Sequence, residues 1–249
     1  MISIPEISRS EVARKLSEII SRKYGDNIYL VALYGSVARG EEGEYSDIDL
    51  YVVTQNISKR RYFAYRNIPI TIEYYRKDDI QRILYEVSST WPSEVYHFLH
   101  PKVLYERGEV VREFREIVKQ IPDEKFKEAA SIALIEIYEN ICKTLNAIQR
   151  GNLGRCIEAI WNIAWHSDNF IGLVNKTYFE KPGFRALDEI ERLNKKPRRY
   201  AYLMKILWTS RDFNTIKRVI NELWNSILEF SRKEEIIFRN YAKLDEDLL

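Results

Sequence analysis

Two aspartates, Asp47 and Asp49, lie two positions apart in the segment SDIDL at 46–50. Successive side chains of a β-strand point to opposite faces, so both carboxylates would share one face while Ile48 and Leu50 take the other. Two like charges side by side repel each other and add nothing to the stability of a sheet. Hard oxygen ligands at this spacing suit Mg²⁺, which binds a few carboxylates together with water and substrate phosphates. The pair therefore predicts a cation site, with Mg²⁺ as the expected cofactor.

A third carboxylate, Glu73, lies in the apolar run IPITIEYY at 68–75. In a strand it would share a face with Thr71 and Tyr75, and burial of its charge is costly unless it is paired or bound to metal. Glu73 is therefore the expected third metal ligand beside Asp47 and Asp49. The alternative, from the pattern alone, is that Glu73 lies on a solvent-exposed face of the sheet.

Three glycines, Gly35, Gly40 and Gly43, fall within the stretch YGSVARGEEG at 34–43. Their spacing matches neither GxGxxG nor GxxxxGK[ST], which argues against a Rossmann or P-loop phosphate site. Glycines also cluster in ordinary turns. The stretch becomes a candidate for function because the aspartate pair follows it so closely.

The elements that would position these residues fall into two groups. A helix is predicted at 9–24, a broken helical segment at 77–98, and strands at 28–34, 47–53, 68–75 and 102–106. After residue 122, helical periodicity takes over at 124–150, 152–176, 184–194, 198–209 and 213–240. The predicted fold class is α+β: a catalytic domain at 1–121, with a small mixed sheet and flanking helices, precedes an all-α helical bundle at 122–249.

The first long helix of the predicted bundle carries Glu139 and Lys143 four positions apart, so the two side chains share one face. An acid followed by a base at this spacing usually forms a surface ion pair that stabilises the helix by a few tenths of a kcal/mol. Spacing alone favours that interpretation.

Composition excludes several classes of protein. The 249 residues include 39 Lys and Arg against 37 Asp and Glu, so the formal net charge is +2. This balance argues against a dedicated nucleic-acid binder, and the basic stretches at 59–63 and 195–199 are interpreted as solvated surface. No apolar run is long enough for a membrane span. The N-terminal residues lack the layout of a signal peptide, so the expected location is cytoplasmic.

The order of Gly35-Ser36, Asp47, Asp49 and the strand carboxylate Glu73 resembles the DNA polymerase beta-like nucleotidyltransferase superfamily. A closer resemblance, to the kanamycin nucleotidyltransferase family, runs in order over nearly the whole chain. It is carried by YGSVARGEEGEYSDIDL, the Trp-Pro pair at 91–92, ALIEIYENICKTLNAIQRG and ELWNSILEF.

For the first half of the chain, the resemblance implies that Asp47, Asp49 and Glu73 act as catalytic residues that hold Mg²⁺. It also implies that nucleotide phosphates are bound through three further positions: Gly35, Ser36 and Arg39.

For the second half, the resemblance implies that Glu139 is the general base toward the acceptor hydroxyl and that Lys143 contacts the nucleotide phosphates. These roles replace the surface ion pair that spacing alone favours. The resemblance further implies a homodimer.

The expected function is Mg²⁺-dependent transfer of a nucleoside monophosphate, with ATP as the first expected donor, to a hydroxyl of a small-molecule acceptor, with release of pyrophosphate. Aminoglycoside specificity is not expected to carry over, because cations at Lys59, Arg60, Arg61 and Arg76 would repel a polycation. Two alternatives stay open. One is transfer to a protein or an RNA end, and the other is a non-catalytic, antitoxin-like module that binds nucleotide.

Overall fold

The computed structural model describes residues 7–241 and divides the chain into two compact units. The first unit contains the chain up to Glu86 together with Val95–Ile121, and the second contains Val87–Glu94 and the chain from Pro122 onward. The predicted domains also include residues 1–6 and 242–249, which lie outside the described range. The α+β fold class is confirmed, with a mixed sheet in the first unit and helices in the second.

The first unit is built on a five-stranded sheet in the order β3-β4-β2-β1-β5. Its strands are β1 (Ile28–Tyr34), β2 (Ile48–Thr54), β3 (Lys59–Tyr65), β4 (Ile68–Arg76) and β5 (Lys102–Glu106). β2 and β4 run parallel, and the other neighbouring pairs are antiparallel. β1 and β2 are buried along most of their length, as their continuous apolar sequences predict.

Helices flank this sheet at α1 (Arg9–Tyr24), α2 (Gly35–Arg39), α3 (Lys77–Tyr85), α5 (Tyr96–Leu99) and α6 (Val110–Lys119). α1 begins after Ser8, whose hydroxyl accepts a hydrogen bond from the backbone N–H of Glu11. Val12 and Ile20 of α1 belong to the same buried cluster as the apolar residues of β1, β2 and β4. The helix predicted at 9–24 is confirmed.

The basic stretch at 59–63 is exposed as predicted, but it forms the first part of an edge strand rather than a loop. β3 pairs antiparallel with β4, and six of its seven residues are exposed. The two strands are joined at Arg66-Asn67, which both have positive φ, as a two-residue hairpin turn requires. An edge strand is held by backbone hydrogen bonds on one side only, so its side chains need not be apolar.

The second unit consists of helices, which confirms the predicted bundle. They are α4 (Trp91–Glu94), α7 (Asp123–Gln149), α8 (Leu153–Asn175), α9 (Leu187–Glu191), α10 (Tyr200–Thr209) and α11 (Phe213–Lys233). Two predicted helices are shorter than expected: a 3₁₀ turn at Gly183–Ala186 precedes the short α9, and α11 ends at Lys233. Glu235, just beyond that end, has a positive φ of 58°. Within residues 7–241, no helix has both the length and the apolar character needed to cross a membrane.

A buried polar pair joins α8 to α10. Asp168 and Tyr200 are almost completely buried, and the Tyr200 hydroxyl donates a hydrogen bond of 2.6 Å to Asp168 Oδ1. Burial raises the pKa of Asp168 well above the ordinary value of an aspartate. The hydrogen bonds from Tyr200 and from the backbone of Gly183 act in the opposite direction and offset part of the cost of burying the carboxyl group.

Gly172 allows α4 to pack closely on α8. A Cβ atom at this position would lie 2.7 Å from Pro92 Cβ and 2.9 Å from Phe179 Cε2, closer than carbon atoms can approach. The backbone N–H of Phe179 also donates to the carbonyl of Pro92 at 2.9 Å, which holds this segment in place. The Trp-Pro segment at 91–92 therefore packs against α8 at Gly172, where the missing side chain leaves room for Pro92.

We expect Gly172→Ala to destabilise the protein by about 1–3 kcal/mol, because the added methyl group overpacks the contact with Pro92 and Phe179. Gly154→Ala is the matched control on the same helix, since a Cβ there meets only Asn152 Oδ1, at 3.6 Å. It should leave stability unchanged or raise it by up to about 1 kcal/mol. Urea unfolding followed by circular dichroism measures both, and equal stabilities would contradict the close-packing argument.

Candidate active site

The two aspartates lie at the start of β2, in the middle of the sheet. Asp47 is the exposed residue just before the strand, and Asp49 is its second residue and half-buried. Asp49 pairs across the sheet with Tyr34 of β1 on one side and with Thr71 of β4 on the other. The buried residues Ile48 and Leu50 hold β2 in the core, so the position of Asp49 is fixed by the sheet itself.

Gly35 brings the backbone close to Asp49. It follows β1 directly, has a φ of +74°, and a Cβ atom there would lie 2.8 Å from Asp49 Oδ2. Any side chain at this position would therefore both strain the backbone and clash with the carboxylate. The next residue, Ser36, belongs to the short helix α2, so the Gly-Ser pair and Asp49 are brought together.

Glu73 lies on β4 with only 8% of its surface exposed, in register with Tyr51 of β2 and Arg60 of β3. Its carboxylate forms an ion pair with the Arg60 guanidinium and accepts a hydrogen bond of 2.5 Å from the Tyr75 hydroxyl. The alternative of a solvent-exposed Glu73 is therefore wrong, because its charge is buried and paired.

Across the described residues, no three His, Cys, Asp or Glu side chains are arranged ready to hold a metal ion. The carboxylates nevertheless affect one another. Burial, then the charge of Asp47, then that of Glu73 raise the pKa of Asp49 to about 6. The pKa of Tyr34 is also raised, first by burial and then by the charges of Glu73 and Asp49. Negative charge is thus concentrated on this face of the sheet, and Arg60 compensates only part of it.

Arg9 fixes the loop that leads into β2. Its Nε donates to the carbonyl oxygen of Ser46 at 2.7 Å, and Nη2 donates to the carbonyl oxygen of Glu44. The loop is closed further by the Ser46 hydroxyl, which accepts from the backbone N–H of Gly43 at 2.9 Å. Arg9 is itself buried, so the first turn of α1 fixes the loop that leads to Asp47.

Sequence reasoning missed the contributions of Arg9 and Arg60, and it placed Tyr75 on the face of Glu73 without assigning it a role. Tyr75 carried a usable signal, because its position two residues after Glu73 places both on one face of β4. Arg60 would have needed the register of β3 on β4, and no pattern in the sequence marks Arg9. The predicted phosphate contact Arg39 lies in the last turn of α2, where its Nε bonds to Glu41 at 2.9 Å.

The other two predicted residues lie in the second unit, on α7. Glu139 and Lys143 form an ion pair of 2.7 Å, and both side chains are more than half exposed. A hydrogen bond to Lys143, followed by the charge of that ammonium group, lowers the pKa of Glu139. One turn earlier, Glu136 Oε2 lies 3.2 Å from His166 Nδ1 of α8. The Glu139–Lys143 pair is therefore exposed and charged, whereas Glu136 Oε2 and His166 Nδ1 are buried between α7 and α8.

Two domain families match the chain. Residues 13–143 match the nucleotidyltransferase domain, and residues 108–237 match the KNTase C-terminal domain. Each match covers more than half of the chain, and together they extend over both units.

Individual relatives are distant in sequence. An aminoglycoside nucleotidyltransferase (4′) of a Bacillus species is 21% identical over 234 residues, which is 92% of each chain, and one of Staphylococcus aureus is 20% identical over the same length. A protein of Methanocaldococcus jannaschii, named as a candidate protein adenylyltransferase, is 32% identical over 108 residues, 40% of this chain and 74% of its own.

The fold is also found in a crystal structure, that of a nucleotidyltransferase-like protein from Exiguobacterium sibiricum. The TM-score is 0.54 at 11% sequence identity, and the match covers 94% of this chain and 82% of that one. The two matching domain families, the relatives and the shared fold all indicate a nucleotidyltransferase. The chain is therefore a nucleotidyltransferase that belongs to the kanamycin nucleotidyltransferase-like group of the DNA polymerase beta-like superfamily.

Proposed function

We propose that this nucleotidyltransferase moves AMP from Mg²⁺-bound ATP to a hydroxyl of a small-molecule acceptor and releases pyrophosphate. The observation that carries the proposal is the cluster of Asp49 and Glu73 on one face of β2 and β4, with Asp47 just before β2 and Gly35 packed against Asp49. Such concentrated negative charge, next to a backbone with no side chain in the way, suits a cation and the phosphates that it binds.

The carboxylates fit a divalent cation, which nucleotidyltransferases generally use. Asp47 and Asp49 offer hard oxygen donors, and the pKa of Asp49 is raised first by burial and then by the charges of Asp47 and Glu73, both of which a bound cation would offset. Glu73 would become the third ligand when its carboxylate releases Arg60 and binds the metal ion. When bound, Mg²⁺ would neutralise charge on the triphosphate and polarise the attacking hydroxyl.

The proposed nucleotide contacts are Gly35, Ser36, Arg39 and Lys143. Gly35 leaves its backbone open to a phosphate, Ser36 offers a hydroxyl, and the two cations match the phosphate charge. Lys143 forms an exposed ion pair with Glu139, and exposed pairs contribute little to stability, so Lys143 can be transferred to a phosphate at small cost. Arg39 is only 24% exposed and pairs with Glu41 at 2.9 Å.

Glu139 is the proposed general base. The acceptor oxygen forms a new bond to the α-phosphorus, the bond from that phosphorus to the bridging oxygen breaks, and pyrophosphate leaves with the electron pair. The hydroxyl proton passes to the Glu139 carboxylate. When Lys143 turns to the phosphates, it no longer lowers the pKa of Glu139, so the carboxylate becomes a stronger base as the nucleotide binds.

A second candidate is transfer to a protein hydroxyl. It is favoured by the relative from Methanocaldococcus jannaschii, whose identity of 32% is higher than that of the aminoglycoside enzymes, although over less of the chain. A homodimer and a cytoplasmic location stay predictions from the sequence.

The proposed function predicts pyrophosphate release from ATP that depends on both Mg²⁺ and a hydroxyl acceptor. Purified protein is incubated with ATP labelled in the α-phosphate, with each of the other three nucleotides as controls, and the label is separated into small molecules and acid-precipitable protein. Label in a small molecule supports the proposal, whereas label in protein supports the second candidate. Pyrophosphate release that needs no acceptor would refute both candidates. The absence of any pyrophosphate release would also refute both.

Asp47→Asn and Asp49→Asn should each lower kcat/KM by at least about 10²–10³-fold, the scale for removing one electrostatic group from a site. The metal-free variants should be as stable as the parent or more stable, because one of three repelling charges is gone. Asp78→Asn, at an exposed position of α3, is the control and should keep full activity. Calorimetry without metal and rates with it measure both effects, and full activity of either site variant would rule out these ligands.

Glu139→Gln and Lys143→Ala should differ kinetically. The first should lower kcat by about 10²–10⁴-fold with almost unchanged affinity for Mg-ATP, because a general base acts on the acceptor proton. The second should weaken Mg-ATP binding by about 10-fold or more, since it removes a charge-assisted contact. Glu128→Gln and Lys127→Ala, exposed ion-paired residues of the same helix, serve as controls. If the site variants behave like these controls, the pair is only a surface ion pair.

A further inference from the structure

A cavity of about 450 Å³ lies in the second unit, where residues 150–152 connect α7 to α8. Three of its lining side chains are cations, Lys143, Arg150 and Arg155, and one is a carboxylate, Glu158. The lining charge is therefore +2, in a chain whose whole net charge is also +2. The formal charges of all other residues of the chain therefore sum to zero.

The cations of this cavity are available to a ligand. Arg155 pairs with Glu158 at 3.2 Å, but both side chains are more than 60% exposed, so the pair is weak. Arg150 forms no ion pair with any residue of 7–241. An exposed cation without an ion-pair partner breaks no existing ion pair when it binds an anion.

The remaining polar lining consists of three carboxamides: Asn146, Asn152 and Asn162. Each carboxamide offers two N–H donors and a carbonyl acceptor, which is the combination that recognises neutral hydroxyl groups. Asn152 already accepts from the backbone N–H of Arg155 at 3.0 Å, so its position is fixed as the cap of α8. The lining thus combines a cationic part with a part suited to hydroxyls.

The cavity reaches the proposed general base through Lys143. Glu139 and Lys143 are paired at 2.7 Å, and Lys143 also lines the cavity. Four residues of a helix span about 6 Å, so Glu139 lies about one helical turn from the Lys143 end of the cavity. Arg150 lies eleven residues from Glu139, about 16 Å along the helix axis, so an acceptor that contacts both must extend along the length of the cavity.

We infer that this cavity binds the acceptor and that the acceptor is a phosphorylated polyol, with its phosphate at Arg150 and Arg155 and its hydroxyls at the asparagines. A phosphate monoester carries about −1.5 to −2 charges at neutral pH, and Arg150 and Arg155 are the cations that remain for it when Lys143 contacts the nucleotide. The inference rests on the proposed function, since it takes Glu139 as the base. An aminoglycoside is a polycation and would be repelled by the same arginines.

The test is calorimetric binding of glucose 6-phosphate, ribose 5-phosphate and glycerol 3-phosphate, each beside its unphosphorylated parent. The protein is first saturated with Mg²⁺ and α,β-methylene-ATP, which occupies the nucleotide site without reacting. At least one phosphate ester should bind 10-fold or more tightly than its parent. Arg150→Ala and Arg155→Ala should each weaken that binding by about 10-fold, while Arg218→Ala, an exposed arginine of α11 outside the cavity, should not.

Several results would overturn the inference. Binding that the nucleotide analogue abolishes would mean that the cavity holds the triphosphate of ATP instead. Binding by none of the three esters, or equal binding by the arginine variants and the parent, would mean that it is no acceptor site. So would transfer to kanamycin with a kcat/KM above about 10⁴ M⁻¹s⁻¹, the low end for matched enzyme and substrate. If an ester binds as expected but pyrophosphate is released with no acceptor, the proposed function fails and the binding site stands.

Discussion

Repulsion between carboxylates on one face of a buried sheet is the constraint around which the first unit is arranged. Asp49 cannot move away from its neighbours, because β2 is fixed between β1 and β4 and its alternate residues are buried in the core. The surrounding residues reduce the repulsion in different ways. Arg60 and Tyr75 bind the Glu73 carboxylate, while burial, followed by the charges of Asp47 and Glu73, still raises the pKa of Asp49 to about 6. A protein selected for stability alone would have no reason to keep this arrangement.

The two units contribute different physical properties to nucleotidyl transfer. In the first, strand pairing and the buried anchor Arg9 hold the carboxylates and their loop in fixed positions. In the second, the candidate residues are exposed side chains on one long helix and its connection to the next. Rigid placement suits the transfer of a nucleotidyl group, which is common to the family, whereas exposed side chains can be exchanged without loss of the fold. Acceptor specificity is therefore expected to vary in the second unit while the chemistry of the first stays constant.

Much of the fold followed from local pattern. Continuous apolar runs predicted β1 and β2, periodicity predicted the long helices α7 and α8, and strand alternation placed Glu73 on a face with Tyr75. What could not be predicted depended on residues far apart in sequence. β3 was missed because an edge strand needs only backbone pairing, and its cations hid the strand pattern. The contact of Arg60 with Glu73 depends on the register of that pairing, and the contact of Arg9 with Ser46 spans 37 positions of the chain.

The charge of β3 has a consequence for how the molecule behaves at high concentration. A strand at the edge of a sheet presents unpaired N–H and C=O groups, to which an edge of another molecule can add and so begin aggregation. β3 presents such an edge over seven residues, with exposed aromatic rings at Tyr62, Phe63 and Tyr65. Arg60 and Arg61 lie on the same strand, so two copies that approach edge to edge bring like charges together. The exposed charge of Arg61 therefore disfavours edge-to-edge pairing of two copies, while Arg60 serves as the counter-ion of Glu73.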